Sequence, residues 1–493
     1  MKTVTIYSHI GGFLFFLSFL TGALTSCSGP GTDIIQQDRE PHIQPDYSGI
    51  TIPPNIAPLN FMVNENGKKY YAEIRSAKGQ TLKIRSGKNV IHINESKWKK
   101  LLEGNRDGDL LIDIYSKSGG KWTRYKTIVN HIAPEPIDSY LVYRLFDQGY
   151  VVWKKMGIYQ RCLENYRVSP VMTNDYSEGG CMNCHSFASN NSNTMMLHTR
   201  QKLPGTVILR KGTVKFVNTA TALTKAPGTY PSWNPDGRHI AFSVNQILQV
   251  FLSVPEHTRE AIDTLADIEV YDTELNKMIT CASIASPDRL ETFPGWSPDG
   301  KSLYFCSAPK LPPGRFNELK YDLLRIGFNP ESGALGKVDT MVSASRYNMS
   351  ISLPRVSPDG KNVLFCMAAY GSFPIWHPES DLYILNMENG KVSKPDINSD
   401  FSEGYHSWSS NGRWIVFSSK RNDGFTTEFC FSYFDKDGKA HKPFVLPQKN
   451  PLRQKTYLKS YNIPEFVTSE IKLKPKEIAK IIRTKPVSVT FEN

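Results

Sequence analysis

Short runs of alternating apolar and polar residues, interrupted by turn residues, make up most of the chain after about residue 53. Successive side chains of an extended strand point to opposite faces, so alternation over a few residues predicts β-strands rather than helices. In the first part of this region the run "ESKWKKLLEG" differs, because it reads as a short helix that ends at Gly104. The pattern predicts an all-β protein.

The first group of strands extends from Pro53 to Ile132. It includes "KKYYAEIRSA", "QTLKIRSG" and "DLLIDIYSK", separated by turns such as Gly119-Gly120. This length and strand pattern favour a small β-sandwich domain of immunoglobulin-like character, which we place at residues 53–135. The stretch "APEPID" marks its boundary, and residues 136–180 are expected to be a connecting segment.

Four later segments repeat one pattern: "YPSWNPDGRHIAFS", "FPGWSPDGKSLYFC", "LPRVSPDGKNVLFC" and "YHSWSSNGRWIVFS". In a Pro-Asp-Gly turn, Pro presets φ, Asp caps the turn and Gly adopts a positive φ. Asp236, Asp299 and Asp359 are therefore expected to be structural rather than catalytic. The turn glycines recur at intervals of 63, 60 and 52 residues, which indicates propeller blades: Gly237, Gly300, Gly360 and Gly412.

The W-S-P-D-G repeat resembles the six-bladed propeller of TolB and its relatives over about residues 230–420. It departs from that pattern where Val356 replaces the tryptophan and where Ser409 to Gly412 replace the Pro-Asp-Gly turn. The resemblance implies a propeller of six blades, with seven as the alternative, over residues 181–493. We expect one blade to begin at residue 181, with the hairpin "GTVILRKGTVKFV", and another to combine "LKSYNIPEF" and "VSVTF" with "DSYLVYRLF", which leaves no free edge.

The N-terminus has the features of an export signal. Phe13 to Leu20 is an apolar run too short to span a bilayer. It precedes Leu24-Thr25-Ser26-Cys27, which resembles the lipobox of bacterial lipoproteins and implies a signal peptide at 1–26 with lipid on Cys27. An ordinary cleaved signal is the alternative. Residues 27–52 are then a polar tether, and the protein is membrane-anchored on the periplasmic or cell-surface side of the outer membrane.

The net charge of +12 is too dispersed to indicate nucleic-acid binding. The densest basic cluster follows the predicted propeller strands and reads as an exposed helix, with contact to an anionic surface as the alternative: Lys472, Lys474, Lys476, Lys480, Arg483 and Lys485.

The stretch "GGCMNCHSF" contains a C-x-x-C-H motif, formed by Cys181, Cys184 and His185. With 8 Cys and 11 His in 493 residues, about 0.003 such matches arise by chance. In c-type haem attachment the two thiols bind the haem and the histidine ligates its iron. We therefore expect one haem c. A Cys181–Cys184 disulfide and a reduced structural loop are alternatives, whereas a zinc site lacks a second C-x-x-C.

The segment "TMMLHTR" offers a sixth ligand for the haem iron. His198 is the first candidate and Met196 the second, because both share one face of the predicted strand. A His198 that only forms a hydrogen bond within the propeller is the competing interpretation. Arg161 and Arg167 are candidate partners for the haem propionates.

These observations support three functions. The first is a lipid-anchored protein with one haem, for electron transfer or redox sensing. The second is a TolB-like scaffold without haem that binds a protein partner on a propeller face. An enzyme is the third and least expected, since the chain has no G-x-S-x-G motif, although dispersed histidines allow a metal in the channel: His239, His257, His377 and His406.

Overall fold

The structure is a computed structural model. It describes residues 29–31, 33–147, 155–220, 224, 226–254, 257–452 and 459–491. The predicted signal peptide and Cys27 lie outside these residues. Within the described ranges, no helix has the length and apolar character needed to cross a membrane.

The N-terminal domain contains two sheets and one helix around a common core. Its elements are β1 (Ile34–Gln36), β2 (Ile43–Gln44), β3 (Thr51–Ile52), β4 (Phe61–Val63), β5 (Lys69–Arg75), β6 (Leu82–Ser86), β7 (Val90–Ile91), α1 (Glu95–Glu103), β8 (Gly108–Ser118), β9 (Lys121–Arg124) and β10 (Ile128–Ile132). Strands β2, β4 and β7 form the smaller sheet, and the other seven strands form the larger one. The pairs β1–β9 and β10–β3 are parallel, unlike the antiparallel pairs of an immunoglobulin sandwich.

The remaining strands form six further sheets. They are β11 (Tyr140–Asp147), β12 (Met156–Cys162), β13 (Val168–Thr173), β14 (Met182–Phe187), β15 (Met195–Thr199), β16 (Gly205–Arg210), β17 (Thr213–Asn218), β18 (Thr229–Trp233), β19 (His239–Val254), β20 (His257–Asp272), β21 (Lys277–Ile279), β22 (Arg289–Trp296), β23 (Ser302–Pro309), β24 (Asp322–Phe328), β25 (Leu335–Val342), β26 (Ser350–Val356), β27 (Asn362–Ala368), β28 (Asp381–Asn386), β29 (Val392–Ser393), β30 (Glu403–Trp408), β31 (Trp414–Ser419), β32 (Glu428–Tyr433), β33 (Phe444–Val445), β34 (Lys459–Val467), β35 (Val487–Ser488) and β36 (Thr490–Phe491). Short helices are α2 (Ala344–Tyr347), α3 (Pro475–Ile481) and the 3₁₀ turns Asn174–Ser177, Pro313–Glu318 and Pro374–Trp376.

Each of the six sheets is one propeller blade. Blade 1 contains β11–β13 and β34, blade 2 contains β14–β17 and β35, and blade 3 contains β18–β21 and β36. Blades 4, 5 and 6 are β22–β25, β26–β29 and β30–β33. The inner strands β34, β14, β18, β22, β26 and β30 each contact the next one, and β30 contacts β34 again. The predicted architecture, an all-β chain with a β-sandwich and a six-bladed propeller, is confirmed.

The ring closes where the two ends of the propeller meet in blade 1. Strand β34 pairs with β11 in antiparallel fashion, so "LKSYNIPEF" and "DSYLVYRLF" share a blade as predicted. The segment "VSVTF" does not join them, because β35 and β36 add to the outer edges of blades 2 and 3. Residues 136–180 are more than a connecting segment, since they supply three strands of blade 1, and the propeller therefore begins before residue 181.

The described part of the predicted tether is folded. Within residues 27–52, strands β1 to β3 join the N-terminal sheets. Ile43, Tyr47 and Ile50 are buried in a core that continues into blade 6 through residues such as Trp414. Apolar side chains in this segment bury surface that a polar linker would leave in water, so the expectation of a flexible tether is wrong for its described residues.

The repeated turns have the predicted structural role. Oδ1 of Asp299 accepts a hydrogen bond from the amide of Lys301 at 3.0 Å, and Gly300 has a φ of 70°. Two of the repeat tryptophans also join neighbouring blades. Nε1 of Trp296 donates to the carbonyl of Ser232 at 3.0 Å, and Nε1 of Trp408 donates to that of Arg355 at 3.1 Å. The turn and the tryptophan thus hold one inner strand against the previous one.

Close packing of the inner strands gives a test of the ring. A Cβ atom on Gly295 in β22 would lie 2.4 Å from the carbonyl oxygen of Pro354 in β26. We expect Gly295→Ala to lower the free energy of unfolding by about 1–3 kcal/mol, because backbone atoms must move apart. Gly314→Ala is the control, since nothing lies within 4 Å of its Cβ position. Equal urea midpoints for the two variants would contradict this packing.

Candidate functional site: the axial channel

The inner strands narrow the propeller axis through a repeated β-bulge. In five of them a residue other than glycine has a positive φ, between 43° and 56°, which is costly for side chains of this size: Tyr230, Phe293, Leu353, Tyr405 and Ile463. The register against the neighbouring strand shifts at each of these positions. A bulge re-aims side chains, and here it directs them towards the axis.

The C-x-x-C-H motif occupies the bulge of the sixth inner strand. The register of β14 shifts between Met182 and His185, so Cys184 lies within the bulge. Cys184 and His185 line a cavity of about 40 Å³ on the axis. The bulge residues of the other five inner strands line the same cavity. The motif therefore lies where the bulges of all six inner strands meet, at a small cavity that we call the constriction.

His185 is buried without a well-formed hydrogen bond. The residue is 2% exposed, and neither ring nitrogen makes a hydrogen bond of good geometry. Burial lowers the pKa of His185 to about 3, although the nearby backbone of Val142 and Ile463 opposes this shift. The imidazole is therefore neutral at physiological pH, which is the form that ligates a metal. A buried polar group without a partner is costly and points to a ligand.

The two thiols have different surroundings. Cys184 is buried on the axis, whereas Cys181 is partly exposed and packs beside the apolar core between blades 1 and 2. Burial raises the pKa of both thiols, and Arg144 and Arg200 oppose the shift. Both cysteines are free, so the structure contains no disulfide between them.

The two predicted sixth ligands do not share a face with His185. His185 lies opposite Leu197 in the sheet, and Leu197 belongs to the core against blade 1. Residues directly opposite each other project from the same face. Met196 packs instead against blade 3, and His198, two residues along β15, projects from that face and bonds Thr206 Oγ1 through Nδ1 at 3.0 Å. Blade 2 thus separates His185 from both candidates, and the hydrogen-bonded interpretation of His198 is the better one.

A wider cavity adjoins the constriction, and we call it the funnel. It has a volume of about 240 Å³ and shares Tyr230, Tyr405 and Ile463 with the constriction. Asn183, from the middle of the motif, also lines it. Trp376 and other apolar side chains complete its wall. The funnel is therefore a largely apolar site with a few polar groups, which is typical of ligand-binding cavities.

Positive charge accumulates around the funnel. Arg144 and Lys420 line it, and Arg200 acts on the thiols of the motif. None of these three has an ion pair in the described part of the chain. Arg144 is hydrogen-bonded to Asn183 Oδ1, and burial lowers the pKa of Lys420 to about 8, with Asp423 opposing and Arg259 adding to the shift. These unpaired cations favour an anionic ligand.

The two arginines proposed for haem propionates lie elsewhere. Arg161 is buried and bonds the carbonyl of Pro447 and Oε1 of Gln448. Arg167 bonds the hydroxyl of Tyr140 at 2.7 Å on the surface. The arginines near the motif are instead Arg144, which lines the funnel, and Arg200, which acts on the two thiols. No local sequence pattern marks either of them.

The residues of the motif fit one half of a c-type haem site. Two thiols three residues apart, with a neutral histidine directly after the second, match the attachment pattern of a c-type haem. His198 and Met196 would not reach a metal held by His185, because they project from the other face of blade 2. The constriction, at about 40 Å³, holds little more than one water molecule, so a bound haem requires the constriction side chains to move apart.

The dispersed histidines do not assemble a metal site. Nδ1 of His239 lies 2.6 Å from Asp236 Oδ2, and Nδ1 of His377 lies 3.1 Å from Glu379 Oε1. Nε2 of His406 donates to the carbonyl of Leu364 at 3.0 Å. The side chain of His257 lies outside the described residues. Among those that are described, no three His, Cys, Asp or Glu side chains are grouped to hold a metal ion.

A long hairpin that the sequence patterns did not reveal extends beside the funnel. Strands β19 and β20 have 16 residues each, and Ile247, Gln249 and Ala261 contribute to the funnel wall. Ile247, Leu248 and Phe251 are 42%, 45% and 54% exposed. The one available signal was the interval of 63 residues between the first two repeats, which is the longest of the three.

Comparison with known proteins gives only distant likenesses. No protein-family model matches the chain, and no curated protein matches it significantly. An oligogalacturonate lyase in complex with manganese aligns over 59% of this chain and 54% of its own, with 13% identity and a TM-score of 0.24. Prolyl oligopeptidase B from Galerina marginata aligns over 55% and 38%, with 12% identity and a TM-score of 0.32. An ancestral GH74 enzyme aligns over 63% and 46%, with 13% identity and a TM-score of 0.30.

The chain thus spans about half or less of the length of these three structures. Likenesses at this level of TM-score carry no argument about function. The assignment of the propeller rests on the six sheets and the ring of inner strands described above.

The buried histidine of β30 predicts a pH dependence of stability. Burial lowers the pKa of His406 to about 3, whereas the unfolded side chain has its ordinary pKa near 6.5. The unfolded chain therefore binds the proton first, and the free energy of unfolding falls as the pH drops from about 6.5 towards 3. Between about pH 7 and pH 5, His406→Gln should reduce this fall by about 2 kcal/mol in urea unfolding.

The matched control is His92→Gln, whose side chain is exposed. It should leave the pH dependence unchanged. An identical pH dependence of unfolding in the wild type and in His406→Gln would contradict the lowered pKa of His406 in the folded state.

Proposed function

We propose that this protein is a membrane-anchored, non-enzymatic propeller that carries one haem on Cys181 and Cys184, for electron transfer or redox sensing outside the cytoplasm. The observation that carries the proposal is the imidazole of His185, which is neutral, buried on the propeller axis and without a well-formed hydrogen bond. A bound metal ion would give a ring nitrogen of His185 the partner that the protein itself does not supply. A bound haem supplies one-electron chemistry.

The surrounding residues have separate roles in this proposal. His185 offers its nitrogen without first losing a proton. Arg144 and Arg200 would compensate carboxylates of a bound haem, because neither has an acidic partner among the described residues. Tyr230 and Tyr405 lie at the junction of the constriction and the funnel, where they would exclude water from a group held by His185.

A scaffold without haem is the second candidate, and two observations favour it. The constriction is small, and burial raises the pKa of both thiols, which makes them weak nucleophiles in the folded chain. The exposed apolar side chains of the β19–β20 hairpin, Ile247, Leu248 and Phe251, offer a surface to a protein partner.

Covalent haem can be tested directly. The full chain, produced in a bacterium with c-type maturation factors, should keep peroxidase staining on a denaturing gel, and Cys181→Ser combined with Cys184→Ser should abolish it. Cys281→Ser is the matched control, since Cys281 is also partly exposed and free. A colourless wild-type protein of normal stability would contradict the haem proposal and leave the scaffold.

The position of His198 makes a second prediction. Because His198 lies on the other face of blade 2 and bonds Thr206, His198→Gln should leave the visible absorption bands of the haem protein unchanged. His185→Gln should shift them, since it removes the proposed ligand. Visible absorption spectra of the wild type and both variants, each oxidised and reduced, are compared. An equal shift in both variants would contradict the assignment of the two faces.

A further inference from the structure

A second cavity lies on the N-terminal domain, away from the propeller axis, and we call it the basic groove. It has a volume of about 690 Å³, within the range of about 300–1,000 Å³ typical of ligand sites. Its wall comes from the edge of the larger sheet, where β5, β6, β8 and β9 are neighbours. Its principal side chains are basic and aromatic: Lys69, Arg85, Lys117, Lys121, Tyr71 and Trp122.

The cations of the groove are not neutralised. Lys69, Arg85, Lys117 and Lys121 form no ion pair in the described part of the chain, and Asp33 is the one acidic residue of the groove wall. Four basic residues and one acidic residue give the wall a formal charge of +3. Four like charges kept close together are unfavourable without counter-ions, so the groove favours a polyanionic surface.

Aromatic rings lie beneath the cations. The ring centroids of Tyr71 and Trp122 are 6.5 Å apart. Nζ of Lys117 lies 5.6 Å from the centroid of Trp122, and Cζ of Arg85 lies 5.9 Å from that of Tyr71. Tyr71 is 3% exposed and lies beneath Arg85, whereas Trp122 is half-buried and reaches the groove surface. An aromatic side chain among basic ones is typical of the membrane–water interface.

The first described residues of the chain lie in this groove. Gly29 and Gly31 belong to its wall, and a Cβ atom on Gly29 would lie 3.3 Å from the ring of Tyr71. Strand β1 then runs parallel to β9, with Ile34 opposite Trp122. Cys27 is two residues before Gly29, a reach of at most about 7 Å. A lipid on Cys27 would therefore hold the groove at the bilayer surface.

We propose that the basic groove is a membrane-contact site that binds the phosphate groups of anionic lipid head groups and sets the orientation of the protein on the bilayer. The inference rests on the membrane anchorage in the proposed function, and it does not depend on the haem. The lipid on Cys27 would hold the groove at the bilayer surface. The four cations of the groove then bind anionic head groups that are present there at high local concentration.

The test separates head-group binding from the lipid anchor. Protein produced from residue 27 onward, with Cys27→Ser, is sedimented with vesicles of phosphatidylcholine alone or mixed with phosphatidylglycerol. We expect binding to the anionic vesicles only, and weaker binding at high salt. Lys69→Gln combined with Lys121→Gln should weaken it by about tenfold or more, since each cation near an anionic surface contributes about a fivefold effect. Both side chains are exposed, so the fold is retained.

The control removes two charges from the other basic cluster. Lys476→Gln combined with Lys480→Gln has the same net charge as the groove variant, and both residues are exposed on α3. It should bind as the wild type does. Equal losses in the two double variants, binding to neutral vesicles, or no binding at all would overturn the proposal. Incorporation of labelled palmitate into the full chain tests lipid attachment to Cys27 separately. A failure of the anchor is therefore distinguishable from a failure of head-group binding by the groove.

Discussion

Closure of the ring by the β11–β34 pair is the constraint on which the rest of the propeller depends. In this ring, blade 1 is completed from both ends of the propeller, because β34 supplies the inner strand that β11 to β13 lack. Without this pair, β14 and β30 would each lose an inner neighbour. The motif on β14 would then lie at an open edge rather than in a channel.

The closed ring changes the chemistry of the motif. Six bulges direct side chains to one axis, and this convergence removes water from His185 and Cys184. Burial keeps the imidazole neutral and the thiols protonated, which favours metal ligation but opposes thiol reactivity in the folded state. If haem is attached, attachment before the ring closes is consistent with both effects, because the thiols are then in water.

Local patterns predicted the blades well. The turns at Gly237 and Gly300 were predictable because Pro, Asp and Gly each prefer one position of such a turn. The position of blade 2 was predictable from the alternation of apolar and polar residues after residue 181. Non-local features were not predictable in this way. The attachment of β35 and β36 to two different blades depends on which outer edges are free, and the burial of Tyr47 depends on a surface of blade 6 that is distant in the sequence.

The same distinction holds for the site. The residue types and spacing of Cys181, Cys184 and His185 were readable from the sequence. Whether His185 shares a face of the sheet with His198 depends on the bulge in β14, which shifts the register against β15 by one residue. Arg144 and Lys420 reach the funnel from blades 1 and 6, and nothing local to either residue marks it as part of a site. Tertiary placement, not local propensity, assembles these groups.

An experimental structure of the protein from a maturation-competent host tests the central claim most directly. We expect continuous density from the Sγ atoms of Cys181 and Cys184 to one macrocycle inside the ring of inner strands, with the imidazole of His185 bound to its metal. A Cys181–Cys184 bond, or free thiols around an unchanged constriction, would contradict it.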